Sequence, residues 1–214
     1  MTVPKAVVFD LGKVLLDFDY SIAVARIQKR CRLSLPELHA LINQSPLLLQ
    51  YECNVLNTAQ FFAQVQGASG FCGDLEEFRG LFADIFTAIE PMVQLHADLR
   101  DAGVKTYIFS NTNELAIAHI RARFPFFKTF TGYILSYEHS AMKPDPRLYQ
   151  VVERQTGRGA AELLYIDDRP ENVQVGRERG WNSILHETPE ATRAAVLKSG
   201  LLPQLLACSN VSSE

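Results

Sequence analysis

The hydrophobic positions of this chain follow two different periods in turn. Short runs of β-branched and aromatic residues predict buried parallel strands, and longer segments between them repeat their apolar residues at helical spacing. The predicted strands are 6–9, 104–109, 132–135, 163–166 and 183–185. Strands that alternate with helices in this way predict a doubly wound α/β sheet.

The helices between these strands have recognisable start and stop signals. The segment 91–102 begins with a proline and is followed by Gly103, and 170–179 repeats the pattern before Gly180. The segment 146–156 has Asp145 as its predicted N-cap and Gly157 as its predicted stop. Proline in the first turn and glycine just past the end are the expected punctuation of a helix.

Residues 18–88 break the alternation. They contain no convincing strand and predict four successive helices, at 20–30, 36–43, 58–65 and 75–87. Four consecutive helices can bury a core of their own, which favours a small lobe over one end of the sheet. Extra helices packed on the flank of the sheet are the alternative. The favoured organisation is a core of 1–17 and 89–206, a helical insertion of 18–88 and a frayed tail of 207–214.

Composition and charge narrow the class of protein. The 214 residues suffice for one domain plus a lobe, and 47% hydrophobic with 21% charged residues is ordinary for a globular protein. A net charge of −3 without a basic cluster argues against nucleic acid as a partner. The sequence lacks a bilayer-length apolar run and a secretory signal, so we expect no membrane association and a cytoplasmic location. Cys31, Cys53, Cys72 and Cys208 are scattered and are expected to be free thiols.

Polar residues follow four of the predicted strands. Asp10 comes directly after the first strand, Ser110-Asn111 after the second, Lys143 on a loop beyond the third and Asp167-Asp168 after the fourth. Each alone is commonly a turn former, a helix cap or a solvated charge. Because ligands of open parallel sheets bind beyond the carboxyl ends of the strands, the ordered set predicts one functional edge.

Phosphoryl transfer is the chemistry that needs this set. A phosphate dianion repels an attacking carboxylate, so its charge must be cancelled before Asp10 reaches phosphorus. Mg²⁺ prefers oxygen ligands such as Asp10 and Asp168, with Asp167 in support. Ser110 and the Asn111 backbone N–H can bind phosphoryl oxygens at a helix N-terminus. Lys143 is a compact cation suited to keeping Asp10 ionised and to balancing a phosphoryl oxygen. The expected substrate is a small phosphorylated metabolite.

The four clusters resemble the motifs of the haloacid dehalogenase-like hydrolase superfamily over residues 7–186. The resemblance implies a Rossmann-like core, an aspartyl-phosphate intermediate on Asp10 and Mg²⁺ as cofactor. It also implies that residues 18–88 form a helical cap that closes over the substrate. The Asp-Leu-Gly and Ser-Asn-Thr-Asn segments are similar to those of small bacterial members that act on sugar phosphates, including α-glucose-1-phosphate phosphatases.

Gly12 is the main departure from the family pattern. Phosphatases of the superfamily usually carry there an aspartate that protonates the leaving group and activates water, whereas the backbone carbonyl, used by the family as a metal ligand, is retained. Loss of such a group costs about 10²–10⁴ in rate, so slow turnover is expected unless Lys13, Glu52 or an ordered water substitutes. Glu52 is predicted, with Tyr51, on a turn between helices. Smaller departures are Ser140 and Asn54, where the family often has glycine.

Two alternative functions stay open. A metal-independent dehalogenase of small haloacids would also use Asp10 as nucleophile, but it has no use for the acidic pair Asp167-Asp168. A non-catalytic member of the family would bind a phosphorylated metabolite or a partner protein. In that case Gly12 in place of the usual aspartate would reflect the loss of catalytic activity.

Overall fold

The parallel sheet is built from apolar strands at the centre of the chain's fold. The computed structural model describes residues 3–43 and 45–203. Within them the strands are β1 (Ala6–Phe9), β2 (Leu16–Phe18), β3 (Phe86–Ala88), β4 (Lys105–Ser110), β5 (Gly132–Leu135), β6 (Leu163–Asp167) and β7 (Asn182–Leu185). Five of them form a parallel sheet in the order β5-β4-β1-β6-β7.

Helices cover both faces of this sheet and also make up most of the segment between β2 and β3. In the described residues they are α1 (Tyr20–Gln28), α2 (Leu35–Ile42), α3 (Pro46–Glu52), α4 (Thr58–Ser69), α5 (Leu75–Ala83), α6 (Glu90–Asp101), α7 (Glu114–Arg123), α8 (Ser136–His139), α9 (Pro146–Thr156), α10 (Pro170–Glu178) and α11 (Pro189–Lys198), with 3₁₀ turns at Pro125–Thr129 and Ala160–Glu162.

The alternation of side chains along β1 shows why both faces are covered. All four residues are buried; Val7 and Phe9 pack into a core with α6 and α7, and Ala6 and Val8 pack into a second core with α9. Successive strand residues point to opposite faces, so an all-apolar strand needs a hydrophobic layer on each side. The predicted doubly wound, Rossmann-like α/β class is confirmed.

The predicted sheet strands are confirmed with small shifts at their ends. Strand β4, for example, begins at Lys105, one residue later than expected. Val104 is instead used to close α6, because its N–H donates to the carbonyl of Leu99 at 2.9 Å. The stop at Gly157 is also confirmed, with φ of 63° in the left-handed region.

Three expectations for residues 18–88 are wrong. The segment is not free of strands, because β3 pairs antiparallel with β2, with Leu16 opposite Ala88 and Phe18 opposite Phe86. The helix expected at 75–87 ends at Ala83 for the same reason. An additional helix, α3, begins after Ser45, whose hydroxyl accepts a hydrogen bond from the N–H of Leu48. Tyr51 and Glu52 therefore lie in the last turn of α3 and not on a turn between helices.

The helices of 18–88 pack around apolar side chains of their own. Phe61 lies at the centre, stacked on Tyr51 with ring centroids 4.5 Å apart and in contact with Phe78 and Phe82. The cluster includes buried residues of α1 to α5, Phe71 and Ile85 on the segments that follow α4 and α5, and one residue from outside 18–88, Leu115 in the first turn of α7. We call this group of five helices the helical lobe. Its core is closed by a residue of the sheet domain, which ties the two parts together.

The expectations for the cysteines, the C-terminal tail and membrane-spanning helices can be compared with the structure only where it describes the chain. Cys31, Cys53 and Cys72 are free thiols, and Cys208 and the predicted frayed tail of 207–214 lie outside the described residues. Among the residues that the structure describes, no helix combines the length and the apolar character that crossing a bilayer requires.

Two glycines test the backbone conformation directly. Neither an added Cβ at Gly67, inside α4, nor one at Gly157 would meet an atom within 4 Å, so packing does not enter the comparison. Gly67→Ala should raise the free energy of unfolding by about 0.5–1 kcal/mol, as expected inside a helix. Gly157→Ala should lower it by about 1–2 kcal/mol, because its φ is positive. Urea denaturation measures both, and changes of the same sign would contradict the assigned conformations.

Candidate active site

The predicted site residues meet at the carboxyl edge of the sheet. Asp10 follows β1, and its N–H continues the pairing with β6 by donating to Ile166 O at 2.8 Å. Ser110 is the last residue of β4 and Asp167 the last of β6, the two strands on either side of β1. The structure therefore brings these residues to one rim, because adjacent parallel strands end at the same edge.

Lys143 occupies the middle of this rim. Its side chain is 1% exposed, and Nζ lies 2.9 Å from Asp10 Oδ1 and 2.6 Å from Asp167 Oδ2. The ammonium also donates to the carbonyl of Phe109 at 2.9 Å. A lysine has three N–H donors, so all three have partners within the protein. Burial opposes the charge on Lys143, but Asp10 and Asp167 outweigh it and raise the pKa of the ammonium.

Asp167 is held by a full set of donors besides Lys143. Oδ2 accepts from the Tyr165 hydroxyl at 2.5 Å, and Oδ1 accepts from the N–H of Arg169 at 2.9 Å and from the Asn172 amide at 3.0 Å. Burial works against its charge, but Lys143 and these donors lower the pKa of Asp167. Asp167 therefore carries the negative charge that pairs with Lys143.

Asn111 fixes the loop on which Lys143 stands. Its side-chain amide donates to Lys143 O at 2.9 Å, and its Oδ1 accepts from Lys143 N at 2.7 Å. This reciprocal pair joins the segment after β4 to the segment after α8. Ser110 beside it is buried, with Oγ 3.3 Å from Asn111 O. Both polar atoms of the Asn111 side chain are thus hydrogen-bonded to the loop. The group of Asn111 that can contact a ligand is therefore its backbone N–H.

The rim carries more acid than the one lysine can balance. Asp10, Asp167 and Asp168 each offer an oxygen, and these oxygens lie within 4.8 Å of one another. Burial raises the pKa of Asp10 to about 8, with Asp167 and Asp168 adding to the shift and Lys143 opposing it. Burial and Asp167 also raise the pKa of Asp168. Asp10 and Asp168 are therefore the two carboxyl groups whose negative charge is not fully balanced by Lys143.

Gly12 lies beside an aromatic ring that the sequence did not point to. A Cβ placed on Gly12 would come within 2.7 Å of Cε1 of Phe18, the last residue of β2. The nearby Lys13 pairs with Asp17 and donates to Phe18 O at 3.0 Å, so its charge is used at the surface. Phe18 therefore fills the space next to position 12. The pairing of β2 with β3, which positions the ring, leaves no local signal in the sequence.

A cavity of about 610 Å³ opens above the rim, between the sheet and the helical lobe. The rim residues Asp10, Ser110, Asn111, Lys143 and Asp168 line one part of it. The rest of the wall is formed by residues of the lobe and of the segments beside it, among them Phe18, Tyr20, Leu48, Glu52, Phe86, Asn113 and Ile120. The cavity thus joins the acidic rim to a wall that is mostly apolar.

Comparison with known proteins gives one family. Residues 4–180 match the model of the haloacid dehalogenase-like hydrolases. The chain is 26% identical over 179 residues to the sesquiterpene phosphatase astK of Aspergillus oryzae, covering 82% of this chain and 86% of that protein. It is 25% identical over 195 residues to the D-ribitol-5-phosphate phosphatase of Bacteroides thetaiotaomicron, covering 86% and 92%.

Solved structures share the fold. A HAD family enzyme of Bacteroides thetaiotaomicron, in complex with magnesium and inorganic phosphate, superposes with a TM-score of 0.75 at 23% identity, covering 85% of this chain and 93% of that one. The L-2-haloacid dehalogenase of Xanthobacter autotrophicus gives a TM-score of 0.62 at 20% identity, covering 94% and 85%.

Removing the buried lysine should destabilise the fold. Lys143→Met leaves the buried, ionised Asp167 without its countercharge, and we expect the free energy of unfolding to fall by about 3–5 kcal/mol. Lys13→Met is the matched control, because its ion pair with Asp17 is exposed and should contribute less than about 1 kcal/mol. Urea denaturation at neutral pH measures both. Equal effects would contradict the central position of Lys143.

The raised pKa of Asp10 predicts a pH-dependent stability in the presence of EDTA. Its folded value of about 8 lies above the ordinary value of 3.8, so the neutral form stabilises the fold. That contribution is complete below pH 3.8 and is lost as the pH rises towards 8. Asp10→Asn, which cannot ionise, should gain stability relative to the parent protein between about pH 5 and about pH 8. Asp17→Asn should show a constant difference over that range, since the pKa of Asp17 is lowered.

Proposed function

Because the chain belongs to the haloacid dehalogenase-like hydrolases, we propose that it is a magnesium-dependent phosphatase that uses Asp10 as its nucleophile. The observation that carries the proposal is the charge balance at the rim. Three carboxylates lie close together beside one buried lysine, and the two whose charge is not fully balanced are Asp10 and Asp168. A dehalogenation has no phosphate dianion to neutralise, so this acidic excess favours phosphate chemistry.

The donor set fits a hard divalent cation. Asp10, Asp168 and the backbone carbonyl of Gly12 are the proposed ligands of Mg²⁺, and Asp167 supports the site through Lys143. When bound, the cation supplies positive charge that favours ionised carboxylates and offsets the charge of a phosphoryl group. The magnesium in the Bacteroides enzyme of similar fold agrees with this choice of metal.

Each rim residue then has a part in phosphoryl transfer. Asp10, once ionised, attacks phosphorus and forms an aspartyl phosphate that water later hydrolyses. Ser110 Oγ and the N–H of Asn111 hold phosphoryl oxygens next to the start of α7. Lys143 acts mainly through its charge and by fixing Asp10, because its three donors already have protein partners.

We propose that residues 18–88 serve as a cap over a core of 1–17 and 89–206. The helical lobe forms one wall of the cavity above Asp10, and β2 and β3 join it to the core side by side. A cap in this position shields the reacting phosphate from bulk water and selects the substrate. The lobe residues of the wall, such as Leu48 and Glu52, are the proposed selectivity residues.

The cavity accepts a small phosphorylated metabolite. Its wall is apolar at Phe18, Leu48 and Phe86 and polar at Glu52 and Asn113, so it fits an organic group with a few polar atoms. One relative acts on a sesquiterpene substrate and another on D-ribitol 5-phosphate, which supports a broad choice between apolar and sugar-like groups. Good leaving groups are favoured, because Gly12 offers no side chain to protonate the leaving oxygen.

Phosphate release by two aspartate variants tests the proposal. The parent protein is assayed against sugar, nucleotide, prenyl and acyl phosphates with Mg²⁺ and with EDTA. Asp10→Asn should abolish the Mg²⁺-dependent release, and Asp17→Asn, an exposed aspartate outside the cavity, should retain it. Borohydride reduces an aspartyl phosphate to homoserine with release of phosphate, and mass spectrometry should find homoserine at position 10 of the parent protein only.

Three results would contradict this function. Phosphate release by Asp10→Asn would exclude Asp10 as nucleophile, and release that EDTA does not affect would exclude the metal. Tight binding of a phosphate analogue without hydrolysis of any substrate would favour the non-catalytic alternative.

A further inference from the structure

Because position 12 is a glycine, it supplies no acid–base group for the proton transfers of the proposed reaction. The leaving oxygen must gain a proton and the attacking water must lose one, but Gly12 has no side chain and the Phe18 ring fills the space beside it. We propose that Glu52, in the last turn of α3, exchanges this proton with both the leaving group and the water. This inference rests on the phosphatase function proposed above.

Glu52 lines the same cavity as Asp10 and is fixed relative to the rim. Its backbone carbonyl lies 2.8 Å from Ser136 Oγ, a hydroxyl that in turn accepts from the N–H of Thr112 at 2.9 Å. The preceding residue, Tyr51, accepts from the N–H of Leu115 at 3.1 Å through its hydroxyl. The end of α3 is therefore attached to the segment after β4, which begins with Asn111 and directly follows Ser110.

The other basic groups of the cavity wall are already engaged. Lys13 pairs with Asp17 and Arg169 pairs with Glu171, and both cations are exposed. Lys143 uses its three donors inside the rim. None of these three is placed to cycle a proton at the leaving group.

Tyr20 is the remaining ionisable wall residue outside the rim apart from Glu52. Burial raises the pKa of its hydroxyl far above the ordinary value, and Glu52 adds to the shift. Tyr20 therefore stays protonated at neutral pH and cannot accept a proton from water. The carboxyl of Glu52 is the group that can both give and take one.

The surroundings of Glu52 suit this exchange. Burial raises the pKa of the carboxyl to about 7, and the Asn113 side chain at the start of α7 opposes the shift. The titratable groups that interact with Glu52 are Tyr20 of α1 and Cys53, the residue that follows Glu52. Both are neutral at pH 7. A carboxyl with a pKa near the working pH is present in both protonation states, as acid–base catalysis requires.

The two steps balance in atoms and charge. In the first, an oxygen of Asp10 bonds to phosphorus, the ester P–O bond breaks, and the leaving oxygen takes the proton of Glu52. In the second, the Glu52 carboxylate takes a proton from water as the water oxygen bonds to phosphorus and the bond to Asp10 breaks. Phosphate leaves, and Glu52 is again protonated.

Glu52→Gln separates this role from a structural one. The variant should hydrolyse glycerol 3-phosphate, whose leaving group needs an acid, about 10²–10⁴-fold more slowly and lose the pH dependence near neutrality. With 4-nitrophenyl phosphate, whose leaving group needs no acid, it should still release one nitrophenolate per site in a burst. The acyl phosphate should then accumulate on Asp10, because the attacking water lacks its base. Glu52→Asp should restore part of the turnover, and the exposed Glu76→Gln should match the parent.

Two outcomes would overturn the inference alone. If Glu52→Gln keeps the parent's rate and pH profile on glycerol 3-phosphate, Glu52 does not exchange the proton. If Glu52→Gln loses the nitrophenolate burst together with turnover, the role of Glu52 is structural. A parent protein that hydrolyses no phosphate ester with Mg²⁺ would overturn the phosphatase proposal and this inference with it.

Discussion

The ammonium of Lys143, buried between the carboxylates of Asp10 and Asp167, is the interaction on which the rest of the site depends. An unpaired charge at this depth would be costly, so the three side chains must stay together in the folded chain. Their contact draws the end of β1, the end of β6 and the loop after α8 to one point. The Asn111 amide pair adds the end of β4 to the same point. One buried cation thus aligns four segments that are far apart in the sequence.

The same pairing leaves the site acidic. Asp167 takes up the charge of Lys143, so Asp10 and Asp168 face each other without full compensation. A site in this state favours binding of a cation before an anion enters. The order of charges explains how a carboxylate and a phosphate, which repel each other, can be brought into contact.

Much of the sheet domain could be predicted from the sequence, because its signals are local. An all-apolar run such as β1 and a stop such as Gly157 depend on neighbouring residues only. The β2–β3 pair escaped prediction because its partners lie about 70 residues apart and are three residues long. The Phe18 ring beside Gly12 was missed for the same reason, and α3 was missed although Ser45 and the following proline mark its start.

The site shows a similar division. The order of the polar clusters after the strands indicated which residues meet at the rim, but not that the Asn111 side chain is used by the loop. Ser140 and Asn54, which replace glycines of the family pattern, adopt positive φ values of 50° and 57°. The family comparison pointed to these two positions, since a left-handed conformation favours glycine. The residue type of Ser140 carries no such signal, whereas asparagine is one of the few residues besides glycine that adopt this conformation readily.

The β2–β3 pair also bears on how such a chain can change over evolution. The chain leaves the sheet domain along β2 and returns along β3, which is hydrogen-bonded to β2. The inserted helices are therefore connected to the sheet domain at one place. An insertion of this kind can be lengthened, shortened or exchanged without moving the strands beneath it. Leu115 completes the core of the insertion from outside, so its side chain must fit the apolar surface of each new insertion. Substrate range and reaction chemistry can therefore diverge at different rates in one lineage.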